Sequence, residues 1–218
     1  MFNKDFYPTP FRIIQEMVAK SDILKSDMRN INILEPSAGK GDIVRYLKNK
    51  YSNYSKKVRI DVIEKDEQLL SFLHGENIVS NDFLTFDTKK HYDLIIMNPP
   101  FSNVEDHILK AFEILKDGEL IALLDTNTLK KDTFKAKKIK EILKTNESEV
   151  VDLGSCFSTA ERKTDVNVSM LYIRKKSEEL SSYFSGLDFE KKDHNESINF
   201  ESEYNLSKRD VIKNEVER

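Results

Sequence analysis

The chain has 218 residues, with 35 Lys+Arg against 38 Asp+Glu and 39% hydrophobic residues, a composition typical of one soluble domain of ordinary size. Its formal charge of −3 excludes a whole-protein polycation, so any site for a polyanion must be local. The longest apolar runs are far shorter than the roughly 20 residues that span a bilayer, and we expect no membrane insertion. The N-terminus lacks the features of a secretion signal and Cys156 is the single cysteine, which favours a cytoplasmic location.

Composition divides the chain near Lys175. Residues 1–175 contain recurrent apolar clusters, whereas residues 176–218 scatter single aromatic residues among 7 basic and 11 acidic ones. A segment this polar cannot build a core of its own. We therefore predict one folded domain over 1–175 and an acidic tail over 176–218, either disordered or docked on that domain.

The folded part alternates between helical and strand patterns. Four apolar residues between Phe11 and Ser21 recur with helical spacing after a proline, whereas Ile31 to Leu34 form a short apolar run before a proline and two glycines. Repeated units of this kind imply a mostly parallel sheet, in which ligands bind at the carboxyl ends of the strands. In chain order we predict helix 11–21, strand 31–34, helix 42–51, strand 58–63, helix 67–73, strand 78–79, strand 92–97, helix 104–115, strand 120–124, helix 131–144, strand 150–153 and strand 166–174.

A glycine-containing turn, EPSAGKG at 35–41, follows the first predicted strand. Glycine allows a ligand to approach the backbone closely, and the N–H groups at the start of the next helix can face that ligand. The turn lacks the GxGxxG spacing of dinucleotide sites, so by itself it predicts a small-molecule site and a plain structural turn about equally well. The residues that follow the next two strands favour the small-molecule site.

Acidic residues end or follow the second and third predicted strands. Glu64 lies about 25 residues past the glycines, where a carboxylate can accept hydrogen bonds from ribose hydroxyls, although a solvated carboxylate in the run EKDE is the alternative. Asp82 and Phe83 place a carboxylate beside an aromatic ring, a pair suited to an exocyclic amine on a flat heterocycle. Together with the glycine turn, these residues predict a site for an adenosine group.

The segment Asn98-Pro99-Pro100-Phe101 follows the strongest predicted strand. Two successive prolines stiffen the chain where it leaves the sheet. The carbonyl oxygens of Asn98 and Pro99 can accept hydrogen bonds from both N–H groups of one amine, while Phe101 offers a stacking surface for the ring that carries it. The segment therefore predicts a site that makes a heterocyclic amine nucleophilic, with a tight structural loop as the alternative.

The ordered set FYPTP, EPSAGKG, DVIEKD, NDF and IIMNPPF resembles the gamma-class S-adenosylmethionine-dependent N6-adenine DNA methyltransferases, over about residues 5–175. The resemblance implies a Rossmann-like class I methyltransferase fold, of the α/β class, with a mostly parallel seven-stranded sheet, helices on both faces and an antiparallel last strand. It makes residues 1–175 a methyltransferase catalytic domain. It also implies S-adenosyl-L-methionine as the cofactor and DNA as the partner, with RNA as the alternative.

The residues that match the family's motifs are expected to have the family's roles. One group binds the cofactor, and the other binds the target amine. The expected cofactor-binding residues are Tyr7, Thr9 and Pro10 at the methionine end, Glu35, Ala38, Gly39 and Gly41 at the amino-acid part, Glu64 at the ribose, and Asp82 and Phe83 at the adenine; the expected catalytic residues are Asn98, Pro99, Pro100 and Phe101.

A third group is expected to contact the nucleic acid. Phe157 is similar in position to the family residue that contacts the second face of the target base. A base that reacts at its amino group must leave the stack and be held between two surfaces. A phenylalanine of the apolar core is the alternative. Lysines crowd the predicted helix 131–144, where they either meet phosphates or form a solvated face. The four histidines share no ligand spacing, so no metal site is predicted. The expected contacts are Phe157, Lys131, Lys135, Lys138, Arg162 and Lys163.

The resemblance implies an adenine-specific DNA methyltransferase, similar to the compact phage or solitary relatives of the restriction-modification enzymes. Related enzymes usually carry a large target-recognition domain after the position of Arg174, where this sequence has only the tail. We therefore expect loose specificity, recognition of a short site by loops, or recognition by a protein partner. RNA base methylation and a catalytically silent binding protein remain alternatives. Protein glutamine methylation is disfavoured because the related turn ends in tyrosine where this chain has Phe101.

Overall fold

The computed structural model describes residues 7–51, 57–157 and 166–177. Seven strands form one sheet in the order β3-β2-β1-β4-β5-β7-β6. The last strand in the chain runs antiparallel to both of its neighbours, and the other pairings are parallel. This topology confirms the predicted sheet. The strands are Asn30–Glu35 (β1), Lys57–Ile63 (β2), Asn77–Ser80 (β3), Leu94–Met97 (β4), Gly118–Asp125 (β5), Glu147–Gly154 (β6) and Val168–Lys175 (β7).

Helices connect most of these strands. The first helix begins after Pro10 and buries one face, whereas the last begins where the hydroxyl of Thr133 accepts a hydrogen bond of 3.0 Å from the N–H of Ala136. The α-helices are Phe11–Lys20 (α1), Asp22–Lys25 (α2), Asp42–Tyr51 (α3), Glu67–Leu70 (α4), Val104–Ile114 (α5) and Phe134–Thr145 (α6), with short 3-10 helices at Phe101–Asn103 and Thr126–Lys130.

Two apolar cores lie on opposite faces of the sheet. Successive side chains of a strand point to opposite faces, so Ile121 and Leu123 of β5 join one core while Leu120, Ala122 and Leu124 join the other. Helices α1, α2 and α3 cover the first core, and α5 and α6 cover the second. The helices on both faces that the sequence predicts are therefore present. No helix in the described ranges is long and apolar enough to cross a bilayer.

Several predicted elements have other ends in the structure. The strand predicted over 92–97 is confined to Leu94–Met97, and the strand predicted over 150–153 extends over Glu147–Gly154. Helix α4 ends at Leu70 rather than at 73, because the N–H groups of Phe72 and Leu73 bond to carbonyls three residues back. Helix α6 begins at Phe134 rather than at 131, because Thr133 caps it. The first six residues of β7 are all buried, because its side chains enter the apolar cores on both faces of the sheet. Residues 178–218 of the predicted tail lie outside the described residues.

The topology brings the predicted site segments together. Strands β3, β2, β1 and β4 are neighbours in the sheet and run parallel, so their carboxyl ends share one edge. The segments that follow these strands are the turn after Glu35, the acidic residue Glu64, the pair at Asp82 and the turn at Asn98. Residues that are far apart in the sequence thus meet at the edge where α/β sheets bind ligands.

Candidate active site

A cavity of about 390 Å³ opens at this edge of the sheet. Its volume lies in the range of small-molecule sites. Among the predicted cofactor-binding and catalytic residues, Pro10 and Gly41 do not line the cavity, and Pro8 lines it although it was not predicted. The predicted residues that do line it are Tyr7, Thr9, Glu35, Ala38, Gly39, Glu64, Asp82, Phe83, Asn98, Pro99, Pro100 and Phe101.

The glycine turn needs glycine at two positions. Gly39 has a φ of 56° and Gly41 a φ of 81°, in the left-handed region that other residues rarely adopt. A Cβ atom at Gly41 would also lie 2.9 Å from the Cδ2 atom of Leu73. The N–H of Gly41 donates to the carbonyl of Ala38 at 2.7 Å, so Gly41 shapes the turn instead of facing the cavity. This explains why a residue of the motif is absent from the cavity wall.

Glu35 is a buried carboxyl in the cavity wall, and it is 1% exposed. Burial raises its pKa well above the usual range, and the neighbouring acidic residues Asp42 and Glu64 raise the pKa further. Within the described part of the chain, its Oε2 atom has no hydrogen-bond partner. A buried acceptor without a donor is costly, and a cationic or N–H-bearing ligand group would satisfy it.

Glu64 connects the end of β2 to the glycine turn. Its two carboxylate oxygens accept hydrogen bonds from the N–H of Gly39 at 2.7 Å and from the N–H of Asp66 at 2.8 Å. Burial raises the pKa of Glu64, and these backbone hydrogen bonds oppose that rise. The carboxylate is thereby held in a defined orientation in the cavity wall.

Asp82 and Phe83 line the cavity as predicted, with additional neighbours. The Asp82 carboxylate accepts hydrogen bonds from Nζ of Lys65 at 2.7 Å and from the N–H of Leu84 at 3.0 Å. The hydrogen bond from Lys65 is the main cause that lowers the pKa of Asp82. The ring of Phe83 lies 5.7 Å from the ring of His107, which also lines the cavity.

His107 was not predicted as a site residue. Its Nδ1 lies 3.1 Å from the carbonyl oxygen of Asn103, and burial lowers the pKa of the imidazole, which favours the neutral ring. A neutral ring that donates from Nδ1 leaves Nε2 as an acceptor. In the sequence, His107 shares a helical face with Val104 and Ile108, so the spacing indicates only that it is buried. Its place in the cavity depends on the packing of α5 against the sheet.

The side chain of Asn98 is held by the segment that precedes α1. Its Nδ2 donates to the backbone carbonyl of Tyr7 at 2.9 Å and to the hydroxyl of Thr9 at 3.1 Å. These bonds use both N–H groups of the amide and fix its orientation. Among the residues that the structure describes, the amide oxygen accepts no hydrogen bond, so this oxygen is available to a ligand N–H group.

Three aromatic rings, those of Tyr7, Phe101 and Phe157, pack against one another. Tyr7 and Phe101 are stacked, with ring centroids 6.1 Å apart and an interplanar angle of 16°. Phe157 is fully buried, does not line the cavity and packs edge-on against both rings. Stacking of Phe157 on a base would require the buried ring to become accessible, and its substrate role stays a prediction.

The predicted phosphate-contacting lysines lie outside the cavity. Lys135 forms an ion pair of 2.7 Å with Asp106, so its charge is partly neutralised. Lys131 and Lys138 are exposed and have no ion-pair partner within 7–51, 57–157 and 166–177. Arg162 and Lys163 lie outside the described residues.

Comparison with known proteins is consistent with this architecture. No protein-family model matches the chain. The type II methyltransferase M.CvrRI of Paramecium bursaria Chlorella virus XZ-6E is 33% identical over 75 residues, which cover 34% of this chain and 20% of that protein. The chain thus aligns with about a fifth of the length of this curated relative.

Two solved structures share the fold. A type I restriction-modification methyltransferase subunit from Streptococcus thermophilus has a TM-score of 0.62 and 16% identity, over 79% of this chain and 45% of that one. A Listeria monocytogenes protein assigned to the class I S-adenosylmethionine-dependent methyltransferases has a TM-score of 0.57 and 16% identity, over 91% of this chain and 66% of that one. Identities this low concern the fold alone. The chain therefore has the fold of the class I S-adenosylmethionine-dependent methyltransferases, as the sequence predicts.

Proposed function

We propose that the protein transfers a methyl group from S-adenosylmethionine to the N6 amino group of adenine in DNA. The observation that carries this proposal is the Asn98 amide, which is anchored through its nitrogen to Tyr7 and Thr9 and has its oxygen available beside Phe101. The similarity of one segment to a viral type II methyltransferase supports DNA as the substrate.

The cavity suits the charges of this cofactor, which carries a sulfonium and an ammonium group. Five carboxyl groups and two lysines line the cavity, so the wall favours cations. The Oε2 atom of Glu35 has no donor in the described ranges and would accept a hydrogen bond from the ammonium group. The carboxylate of Glu64 would accept hydrogen bonds from the ribose hydroxyls. The acceptor on His107 and the carboxylate of Asp82 lie beside Phe83, where the adenine would bind. When bound, the cofactor supplies an electrophilic methyl group.

The residues around Asn98 would activate the target amine. The nitrogen lone pair of adenine N6 is delocalised into the ring, which makes the amine a weak nucleophile. Two acceptors, the side-chain oxygen of Asn98 and the backbone carbonyl of Pro99, would hold both N–H groups out of the ring plane and favour a tetrahedral nitrogen. The lone pair freed in this way would be able to take the methyl group from the sulfonium, with the thioether as the leaving group, and the nitrogen would then lose one proton to solvent. Phe101 would hold the base by stacking.

Target recognition is the second part of the proposal. We infer that loops at the carboxyl edge of the sheet, or a protein partner, supply sequence specificity. A partner is supported by the likeness to the Streptococcus thermophilus protein, which is itself a subunit of a restriction-modification system. Gel filtration and pull-down with and without DNA would test for such a partner.

The decisive experiment identifies the methylated nucleoside. The protein is incubated with isotope-labelled S-adenosylmethionine and either unmethylated genomic DNA or total RNA, and each polymer is then digested and examined by mass spectrometry. We expect label in N6-methyldeoxyadenosine. The variant Asn98→Ala should lose this label and still bind the cofactor, whereas the control Asn49→Ala, on the exposed face of α3, should keep it. Label confined to RNA, or no label with cofactor binding intact, would contradict the proposal.

A further inference from the structure

Phe134 is the most exposed large hydrophobic side chain among the residues that the structure describes, at 80% exposure. It is the first residue of α6, whose buried face consists of Ala136, Ile139 and Ile142. The helical spacing therefore directs Phe134 away from the protein core. A single exposed aromatic is common on protein surfaces, so its significance depends on where it is held and on its neighbours.

The residues on either side of Phe134 are bound to the first turn of α5. The hydroxyl of Thr133 donates to Glu105 at 2.7 Å, and Nζ of Lys135 donates to Asp106 at 2.8 Å. Glu105 lies about one helical turn after Phe101, at the end of the candidate catalytic turn. Strand β5, which precedes α6 in the chain, runs parallel to β4, so the start of α6 and Phe134 lie towards the same edge of the sheet as the cavity.

The surface around Phe134 has more lysines than acidic residues. Residues 126–146 contain seven lysines and two acidic residues, although Lys135 and Lys137 form ion pairs with Asp106 and Asp132. Lys138 lies four positions after Phe134 and therefore on the same face of α6. Lys131 lies in the extended segment that precedes this helix. Both lysines are exposed without an ion-pair partner in the described ranges. An exposed aromatic ring with exposed lysines close to it in the chain has the chemistry to meet both the bases and the phosphates of a nucleic acid.

We propose that Phe134 inserts into the base stack of duplex DNA and occupies the space that the target adenine leaves when it enters the cavity. This inference rests on the proposed function, because an N6 amino group inside a duplex cannot reach Asn98 unless its base leaves the stack. An apolar side chain wedged between base steps compensates for the lost stacking. Lys131 and Lys138 hold the flanking phosphates.

A tryptophan reporter tests this contact directly. The chain has no tryptophan, so Phe134→Trp introduces a single fluorophore at the proposed wedge. We expect its fluorescence to be quenched as duplex DNA is added, in parallel with the rise in anisotropy of the end-labelled duplex. The matched control is Met28→Trp, because Met28 is 41% exposed and precedes β1 at the opposite edge of the sheet. The control should show no quenching.

A kinetic comparison tests the role in base extrusion. Phe134→Ala should lower kcat/KM on duplex DNA about tenfold, a loss of the size that removal of one aromatic–base stack produces. On heat-denatured single strands, where no base needs to leave a duplex, its kcat/KM should stay within about twofold of the wild type. Phe134→Trp should retain the duplex activity.

Several outcomes would overturn the inference. The first is an unchanged Phe134→Trp fluorescence when the anisotropy shows that duplex binding is saturated. The second is fluorescence quenching by duplex RNA but not by duplex DNA. The third is a wild-type protein that does not bind duplex DNA. An equal loss of activity on duplex and single strands would also overturn it. If no methyl transfer occurs but the Phe134→Trp quenching saturates with duplex DNA, the proposed function fails and the docking surface stands.

Discussion

The side-chain nitrogen of Asn98 lies 2.9 Å from the backbone carbonyl oxygen of Tyr7, a residue 91 positions earlier in the chain. The hydroxyl of Thr9 binds the same nitrogen at 3.1 Å. The segment before α1 and the turn after β4 therefore form one structural unit. This contact gives the N-terminal segment a physical role, which is to orient the amide whose oxygen would bind the target amine.

Replacement of Thr9 by valine tests this role. Thr9→Val removes one acceptor for the Asn98 amide, and loss of one hydrogen bond of about 1 kcal/mol corresponds to a roughly fivefold decrease in kcat. Because Thr9 also lines the cavity, the cofactor dissociation constant is measured by calorimetry and kcat is compared at saturating cofactor. Thr9→Ser keeps the hydroxyl and should restore single-turnover methyl transfer. Equal rates for the valine and serine variants would contradict the role.

Cofactor affinity should depend on the ionisation of Glu35. Its pKa is raised by burial and by the nearby Asp42 and Glu64, whereas a bound ammonium group favours the ionised carboxylate. Binding therefore requires loss of the proton, and affinity should fall as the pH is lowered through the raised pKa of Glu35. Calorimetry between about pH 5 and 7.5, above the ordinary range of Glu, measures this trend.

The variant Glu35→Gln should bind the cofactor about tenfold more weakly at the upper end of this range and show a flatter pH profile, because its side chain cannot ionise. Any remaining pH dependence would report on Glu64, whose pKa is also raised by burial. Glu67→Gln, on the exposed face of α4, serves as the control. A Glu35→Gln profile as steep as that of the wild type would refute the assignment.

Lys131 and Lys138 should contribute to the salt dependence of DNA binding. Each phosphate contact adds about 0.9 to the slope of log K against log salt, so the double variant Lys131→Ala/Lys138→Ala should lower this slope by about 1.8. The control is Lys89→Ala/Lys116→Ala, because both lysines precede strands at the opposite edge of the sheet. Equal slopes for the two double variants would show that DNA does not dock beside α6.

The buried carboxylate of Glu119 should be important for stability. It accepts hydrogen bonds from the Ser21 hydroxyl at 2.5 Å, from the N–H groups of Asp22 and Ile23, and from Arg174 at 3.2 Å. These bonds connect the start of α2 to β5 and β7 across the sheet.

Glu119→Ala leaves the buried Ser21 hydroxyl and Ile23 N–H without this acceptor, and we expect the free energy of unfolding to fall by about 3 kcal/mol in urea denaturation. The exposed Glu149, which pairs with Lys20, is the control, and Glu149→Ala should cost less than about 1 kcal/mol. A similar loss of stability in both variants would contradict this role for the buried network.

The order of strands and helices follows from local patterns in the sequence. The apolar spacing of α1 and α3, the glycines after β1 and the prolines after β4 each act over a few residues, so they can be read without tertiary information. The structure confirms the fold class that these local patterns predict. Element ends were less accurate, because the capping bond of Thr133 and the turn after Leu70 depend on single hydrogen bonds.

The residues around the site were predictable to the extent that each follows a strand. Parallel strands bring their carboxyl ends to one edge, so Glu35, Glu64 and Asp82 meet without any contact being specified in advance. His107 and the exposed ring of Phe134 were not predictable in this way, because both lie on helices. Their environments depend on how α5 and α6 pack against the sheet and against each other.

The sequence by itself determined the alternation of strands and helices and the residue types that end each strand, because these are local properties of the chain. Only the tertiary structure decided that Tyr7 and Thr9 hold Asn98, that Glu35 has an acceptor without a donor in the described ranges, and that Phe157 is buried behind Phe101. Such relationships join residues that are distant in the sequence. They exist because the packing of two cores on one sheet places these side chains within a few ångströms of each other.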